Sequence, residues 1–394
     1  MKIMAGVRST PATRCECSGQ KPKRINFVSI QQQHGIAVEG GSSMPLITGY
    51  EQVIANRVTD LFAVVAQQDG EVIALSNKVI TVLYKDGTKK YYEIGRRFGK
   101  HQGGIIPHTV VTNLSVGQKF KVGDVISYNS DFFEINYLNP QNLLWKNGLL
   151  MNVAIMDTTD TFEDSSAISE KAAESLRTKM TSVRSLVIDF NVTVNDLVEV
   201  GDELTAESIL CIMEDSITAD NDLFDEETLS TLSQLSSASP RAKSSGKVEH
   251  IEVFYNGEIE EMSESLESIA ITYDRQLSKV QKALGTTVVS GRVDENYRIE
   301  GKPLGKNQIV INIYITAFVA AGVGDKCVYA NQMKSVIGDV LVGANKTESG
   351  INIDGIFGYQ SISNRIVLSP EIIGTTNMLL EVIGKNAAKL YFGE

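Results

Sequence analysis

The chain has no run of about 18 apolar residues, so nothing in it reads as a transmembrane helix. Its opening stretch, Met1 to Gln20, lacks a continuous apolar core of signal-peptide length, which predicts an intracellular protein. Cysteine is scarce. Cys15, Cys17, Cys211 and Cys327 are the four in 394 residues, and their spacing suggests no pairing. Cys15-Glu16-Cys17 lacks the second ligand pair that a zinc site requires. An excess of positive charge is also missing. A formal net charge of −11 argues against a protein that coats nucleic acid electrostatically, although a local channel could still grip it. Seven carboxylates fall in Glu214-Asp215 and Asp220 to Glu227 without one Lys or Arg. Phe224 and Asp225 stand where a calcium loop needs an oxygen ligand and a glycine, so the run reads as a solvated acidic face.

What is present is a β-rich pattern. With 42% hydrophobic residues the chain can bury a substantial core, and its length suggests two or three domains. Strands are predicted over Leu61 to Ala66, Glu71 to Leu75, Val79 to Tyr84 and Lys89 to Ile94, with a hairpin turn at Asp86-Gly87. Further strands are predicted over Leu149 to Met156, Leu186 to Val192 and Ile309 to Val319. In the last, Ile309, Ile311, Ile313 and Ile315 alternate with Val310, Asn312, Tyr314 and Thr316, which predicts one buried face. Gly-centred turns at Val116-Gly117 and Val122-Gly123-Asp124 find an echo at Val200-Gly201-Asp202, without a fixed period. Helices are predicted over Ser165 to Met180, with Ser165 or Ser166 as N-cap, and over Glu261 to Leu284, ended by Gly285. Ser236 to Gly246, rich in Ser, Pro and Lys, reads as a linker.

Three groups of residues could carry chemistry. Lys326 follows Gly324-Asp325, and Lys334 comes eight residues later. Fully extended, eight residues span about 26 Å, so the segment must fold back or the lysines must serve separate phosphates. Glu163 and Asp164 are adjacent; in an extended segment only one could face a site, and both could cap a helix starting near Ser165. Lys89, Lys90, Arg96, Arg97, Lys100 and His101, interleaved with Tyr91, Tyr92 and Phe98, form the one dense basic cluster. That cluster suits either phosphate contact and stacking or a solvated hairpin.

Thr161-Phe162-Glu163-Asp164-Ser165, then Gly324-Asp325-Lys326 with Lys334, and a closing stretch from Ser369-Pro370 to Gly384 resemble the catalytic part of the β (second-largest) subunit of multisubunit RNA polymerases. Pro45-Leu46-Ile47-Thr48-Gly49-Tyr50-Glu51 and the Gly123-Asp124 turn extend the resemblance, which runs from Lys23 to Gly384 and weakens between Ser216 and Gly285. It implies a mainly β fold with some α: a double-psi β-barrel, a hybrid-binding β domain and a helical insertion. The implied organisation is an N-terminal segment (1–45), a hybrid-binding-like region (46–150), the first barrel part (151–215), a reduced flap or wall with a helix (216–285) and the second barrel part (286–394). Lys247 to Phe254 would be a remnant of the flap.

By the same resemblance, Lys326 and Lys334 hold RNA and nucleotide phosphates, and Asp164, beside Glu163, approaches a second, nucleotide-bound Mg²⁺. Arg24, with Lys23 as competitor, matches a triphosphate-contacting arginine. Lys89, Lys90, Arg96, Arg97 and Lys100 align with a segment lying along nucleic acid. The family's interior between the lysines is changed: Ala330-Asn331 replaces an Arg-His pair and Ser335 replaces a glycine. Thr376 stands where a second triphosphate-binding arginine is expected. Because no Asp-x-Asp-x-Asp cluster occurs, the main Mg²⁺ ligands are expected on a β′-like partner. The absent N-terminal lobes suggest a split β subunit of the giant-bacteriophage type, with an N-terminal β-like partner and with DNA template, RNA and NTPs as ligands. It would work in the infected host cytoplasm or be packaged in the virion. A non-catalytic β-barrel homologue that binds host polymerase or packs into a virion is the alternative. A biotinyl-type carrier lacks its Met-Lys-Met-like acceptor.

Overall fold

A computed structural model of the chain describes residues 2–9, 34–43, 45, 51–101, 104–214, 239–287, 289–329, 333–365 and 369–393. Lys23, Arg24, Cys15, Cys17, Ala330, Asn331 and the acidic run from Asp220 to Glu227 lie outside them. The described residues are mainly β with a few helices. None of those helices is long and apolar enough to cross a membrane.

Eleven strands frame the candidate site. In chain order they are β1 (Lys2–Ser9), β2 (Gly95–His101), β3 (Gly104–Val111), β4 (Leu143–Ile155), β5 (Ser165–Ser169) and β6 (Thr178–Asp189). They continue with β7 (Gly246–Asn256), β8 (Gln308–Val319), β9 (Lys326–Tyr329), β10 (Met333–Leu341) and β11 (Gly355–Phe357). Four helices matter: α1 (Glu170–Ser175), α2 (Glu264–Ala283), α3 (Tyr359–Ser363) and α4 (Ser369–Phe392).

Six strands pair in a cycle. β1 pairs antiparallel with β4 on one edge and with β9 on the other. β4 runs parallel to β11, β11 antiparallel to β5, β5 parallel to β10, and β10 antiparallel to β9. Met151, Ile168, Tyr329, Ile337 and Phe357 pack together against these strands, all at most 1% exposed. Residues some 200 positions apart in sequence thus share one core.

The second large sheet is ordered β7-β8-β6-β3, with β2 joined to β3. β8 lies between β6 and β7, and both of its faces are covered. Ile309, Ile311, Ile313 and Ile315 pack under α2 through Leu266 and Ala270, each isoleucine contributing about 1.5–3 kcal/mol by burial. The alternate residues, Val310, Asn312, Tyr314 and Thr316, are also buried, at 9% exposure or less. The single buried face expected from alternation is therefore corrected. β2 folds back over β8, setting Phe98 4.8 Å from the Tyr314 ring, and this second cover is a tertiary effect invisible to local periodicity. A smaller sheet of Gly70–Leu75, Val79–Tyr84, Lys89–Glu93 and Lys119–Phe120 follows the predicted hairpins, with Gly87 at φ +86 in the turn.

The Gly-Asp echo has a geometric basis. In Lys121–Asp124, Glu199–Asp202 and Gly322–Asp325, the aspartate accepts the backbone N–H three residues earlier, at 2.7, 2.8 and 2.9 Å. The intervening Gly123, Gly201 and Gly324 have φ of +91, +116 and +93, a region that costs most side chains about 1 kcal/mol or more. Ser115–Gln118 repeats the turn with the Gln118 amide oxygen in the aspartate's place. Asp325 is thus a turn-forming residue that launches β9.

Two local expectations are corrected. The segment from Ser165 to Met180 is not one helix: Ser165–Ser169 is β5, the helix is only Glu170–Ser175, and Thr178 begins β6. Pairing of β5 with both β10 and β11 overrides the four-residue spacing of Ile168, Ala172 and Leu176, and Ser169 is the N-cap. Within the linker predicted from Ser236 to Gly246, the described part from Ser239 is packed: Ser239 and Ala242 are buried, and Pro240 accepts the Leu210 N–H. The helix α2 lies within the predicted Glu261 to Leu284, starting at Glu264 and ending at Ala283, with Leu284 as C-cap before Gly285 at φ +66.

Candidate active site

The two lysines sit on one hairpin. In the β9–β10 register Lys326 faces Val336 and Lys334 faces Val328, so both project on the same side of the sheet. They are diagonal neighbours, with Cα atoms about 7–8 Å apart. Both are exposed, while Cys327, Tyr329, Met333, Ser335 and Ile337 point inward and are buried. Folding back is the outcome of the two that the sequence left open. Ser335 uses its inward side chain to donate to Ser166 Oγ at 2.8 Å, tying β10 to β5.

The acidic motif enters the same row. β5 pairs parallel with β10 so that Ser165 lies beside Val336, which lies beside Lys326. Two strand spacings separate Ser165 from Lys326, about 10 Å. Asp164 is the residue immediately before this row. Segments some 160 residues apart in sequence are therefore brought to neighbouring strands of one sheet.

Thr159–Asp164 is a tight irregular turn capped by Thr158, whose hydroxyl accepts the Asp160 N–H. Thr161 is buried and accepts the Thr158 N–H at 2.8 Å. Two glycines admit the turn. A Cβ on Gly338 would lie 2.3 Å from Ser165 Oγ, and one on Gly358 would lie 2.7 Å from the Thr161 carbonyl. Glu163 and Asp164 both take left-handed backbone, φ +47 and +67, which costs a non-glycine residue about 1–3 kcal/mol. The extended geometry assumed from sequence, and the helix cap near Ser165, are both replaced by this strained turn. Phe162 is left 74% exposed at its tip.

Sequence reasoning missed Arg365. It follows α3, and its guanidinium grips Asp164 with two bonds, Nη1–Oδ1 at 2.5 Å and Nη2–Oδ2 at 2.6 Å. The Arg365 bonds, aided by Ser361, hold the Asp164 carboxyl below the usual carboxylate range. Asp164 is therefore held as a carboxylate paired with a guanidinium. Thr376 lies in α4 and donates to its own helix at the Ile372 carbonyl. The signal that could have found Arg365 is its place between the strand Gly355–Phe357 and the closing helix.

The basic cluster is divided by the fold. Lys89 is exposed, and Lys90 lies 5.7 Å from the Tyr84 ring centre. Arg96 is turned inward: Nε and Nη2 bind Glu249 at 2.8 and 2.7 Å, and Nη1 donates to Thr109 at 2.8 Å. Arg97 pairs with Glu93 at 2.9 Å. Lys100 lies on β2. The structure brings Lys326, Lys334, Glu163 and Asp164 together, and sets Lys89, Lys90, Arg96, Arg97 and Lys100 on other sheets. Among the described residues, no group of three His, Cys, Asp or Glu side chains is arranged to hold a metal ion.

No protein-family model matches the chain, and no curated protein sequence matches it.

Proposed function

We propose that this chain is a β-like, C-terminal subunit of a multisubunit DNA-dependent RNA polymerase. The observation that carries the reading is the convergence of the acidic turn and the lysine hairpin on neighbouring strands of one sheet. The cycle of six strands, with two parallel pairs, supports assigning a double-psi β-barrel to β1, β4, β5, β9, β10 and β11.

In this reading Lys326 and Lys334 act as mobile point charges on the phosphates of RNA and the incoming nucleotide. Asp164 and Arg365 neutralise each other until a nucleotide arrives. Arg365 then turns to the triphosphate, which its planar fork suits. Asp164, so released, would be the residue of this chain that helps hold a nucleotide-bound Mg²⁺, and the ion would supply charge stabilisation for phosphoryl transfer. The remaining Mg²⁺ ligands would come from a β′-like partner, and an N-terminal β-like chain would complete the subunit.

The test is reconstitution. Partners co-purified with the chain should include one carrying Asp-x-Asp-x-Asp, and templated RNA synthesis should need both chains. RNA synthesis by the single chain, or full activity of the assembly without it, would sink the proposal.

A further inference from the structure

A cavity of about 170 Å³ lies where β4 meets the start of β6, the end of β8 and the turn at Ser130-Asp131. None of its lining residues belongs to the lysine hairpin, and no role proposed above uses it. Its chemistry is cationic. Lys146 from β4 reaches in and donates to the Ser130 carbonyl at 2.7 Å. Lys179 from β6 reaches the neighbouring residue, with Nζ 3.7 Å from Asp131 Oδ1, beyond direct hydrogen-bond range. Two ammonium groups thus converge on adjacent residues.

The compensating charge is limited. Asp131 is 17% exposed and already spends Oδ2 on the Thr109 N–H at 2.7 Å. Glu39, the other carboxylate on the wall, is clamped by Arg177. Arg177 and Lys179 both lie over the Phe318 ring, at 4.7 and 5.7 Å from its centre, which holds their side chains in place. Arg177 also bonds Glu174 and is thereby neutralised, so in a chain of net charge −11 the cationic excess at the cavity is Lys146 and Lys179 against Asp131, a repulsion that a bound anion would offset. Lysine's three rotatable donors suit a tetrahedral oxyanion better than a planar one. At about 30 Å³ per water, the volume admits a phosphate group and some of its substituent.

We propose that this cavity binds a phosphate group, held by Lys146 and Lys179 and opposed by Asp131. The proposal does not depend on the polymerase reading. Inorganic phosphate titrated calorimetrically into the full chain in chloride buffer should bind saturably. Lys146→Gln and Lys179→Gln should each weaken it by about tenfold or more, equivalent to about 1.4 kcal/mol. Asp131→Asn should tighten it, because the competing carboxylate is gone while the Thr109 N–H keeps its acceptor. A gain of affinity cannot come from misfolding, so this variant protects the test against a destabilised lysine mutant. A short oligoribonucleotide that displaces the inorganic phosphate would assign the group to a nucleic-acid backbone; failure to displace it would assign a free phosphorylated small molecule. No saturable binding of either probe at about 10 mM, where even millimolar affinity would register, overturns the proposal. So does lysine-variant affinity equal to that of the wild type.

Discussion

Asp164 and Arg365, 201 residues apart in sequence, are joined by two charge-assisted bonds of 2.5 and 2.6 Å beside the hairpin that carries Lys326 and Lys334. The pair is half-exposed, so it contributes only about 0–1 kcal/mol to folding. Its importance is positional. Both partners are charged, and both can be handed to a ligand that brings the opposite charges.

Asp164→Asn should therefore leave the melting temperature nearly unchanged while slowing nucleotide addition and raising the Mg²⁺ requirement of the reconstituted polymerase. Arg365→Lys keeps the charge but loses the fork, and should raise the nucleotide concentration needed for half-maximal rate by about tenfold. Normal Mg²⁺ dependence and normal rate in Asp164→Asn would remove Asp164 from the chemistry and leave Glu163 as the next residue to test.

For the lysines, Lys326→Ala and Lys334→Ala should each slow nucleotide addition by about 10²–10³, the usual loss when a charge acting on reacting phosphates is deleted. Assembly should be intact, since both side chains lie on the exposed face and the inward residues of the hairpin are untouched. If both variants assembled and ran at wild-type rate, the non-catalytic homologue would be the better reading.

The hairpins around Asp86-Gly87, the Gly-Asp turns and the helix α2 were legible because each is written in a short window. Turn glycines, aspartates at a fixed offset and three-to-four-residue apolar steps are local chemistry. The segment from Ser165 to Met180 was not, because its helical spacing is overruled by strands from more than 150 residues away. The lysines and acidic turn were legible as motifs, but their meeting depends on the parallel β5–β10 pairing, which no local pattern encodes. Arg365 was missed for the same reason: only the fold sets it against Asp164. Arg96 read as a basic surface residue until the fold supplied Glu249.

That last pair gives a stability prediction. Arg96 and Glu249 are each 24% exposed, and Glu249 also accepts the Thr316 hydroxyl at 2.9 Å. Arg96→Ala would strand a mostly buried carboxylate and should cost about 1–3 kcal/mol in urea unfolding. Arg96→Lys, unable to reproduce the fork, should recover only part of it. An Arg96→Ala variant as stable as the wild type, but weaker in RNA binding, would return Arg96 to a nucleic-acid role.

A final prediction concerns acid. His108 on β3 is 6% exposed, packs beside the Phe62 and Phe132 rings, and shares a hydrogen bond of 3.0 Å with the Asn129 side chain. Burial lowers its affinity for a proton below the ordinary value of 6.5, with Arg97 and Arg96 adding to the effect and Asp131 opposing it. The unfolded chain takes up this proton near pH 6.5, whereas the folded chain resists until a lower pH. Between those two values the unfolded state binds more protons, so stability must fall as the pH drops below about 6.5. The contribution is fully present above that pH, and its loss stops once the folded histidine is itself protonated. Urea unfolding at steps between pH 7.5 and about 5 should show this slope, bounded by one proton per molecule, and His108→Gln should flatten it. The carboxylates held low in the fold, Asp164 among them, act only at still lower pH and cannot mimic it. A His108 imidazole that titrates near 6.5 in the folded chain by NMR would overturn the argument.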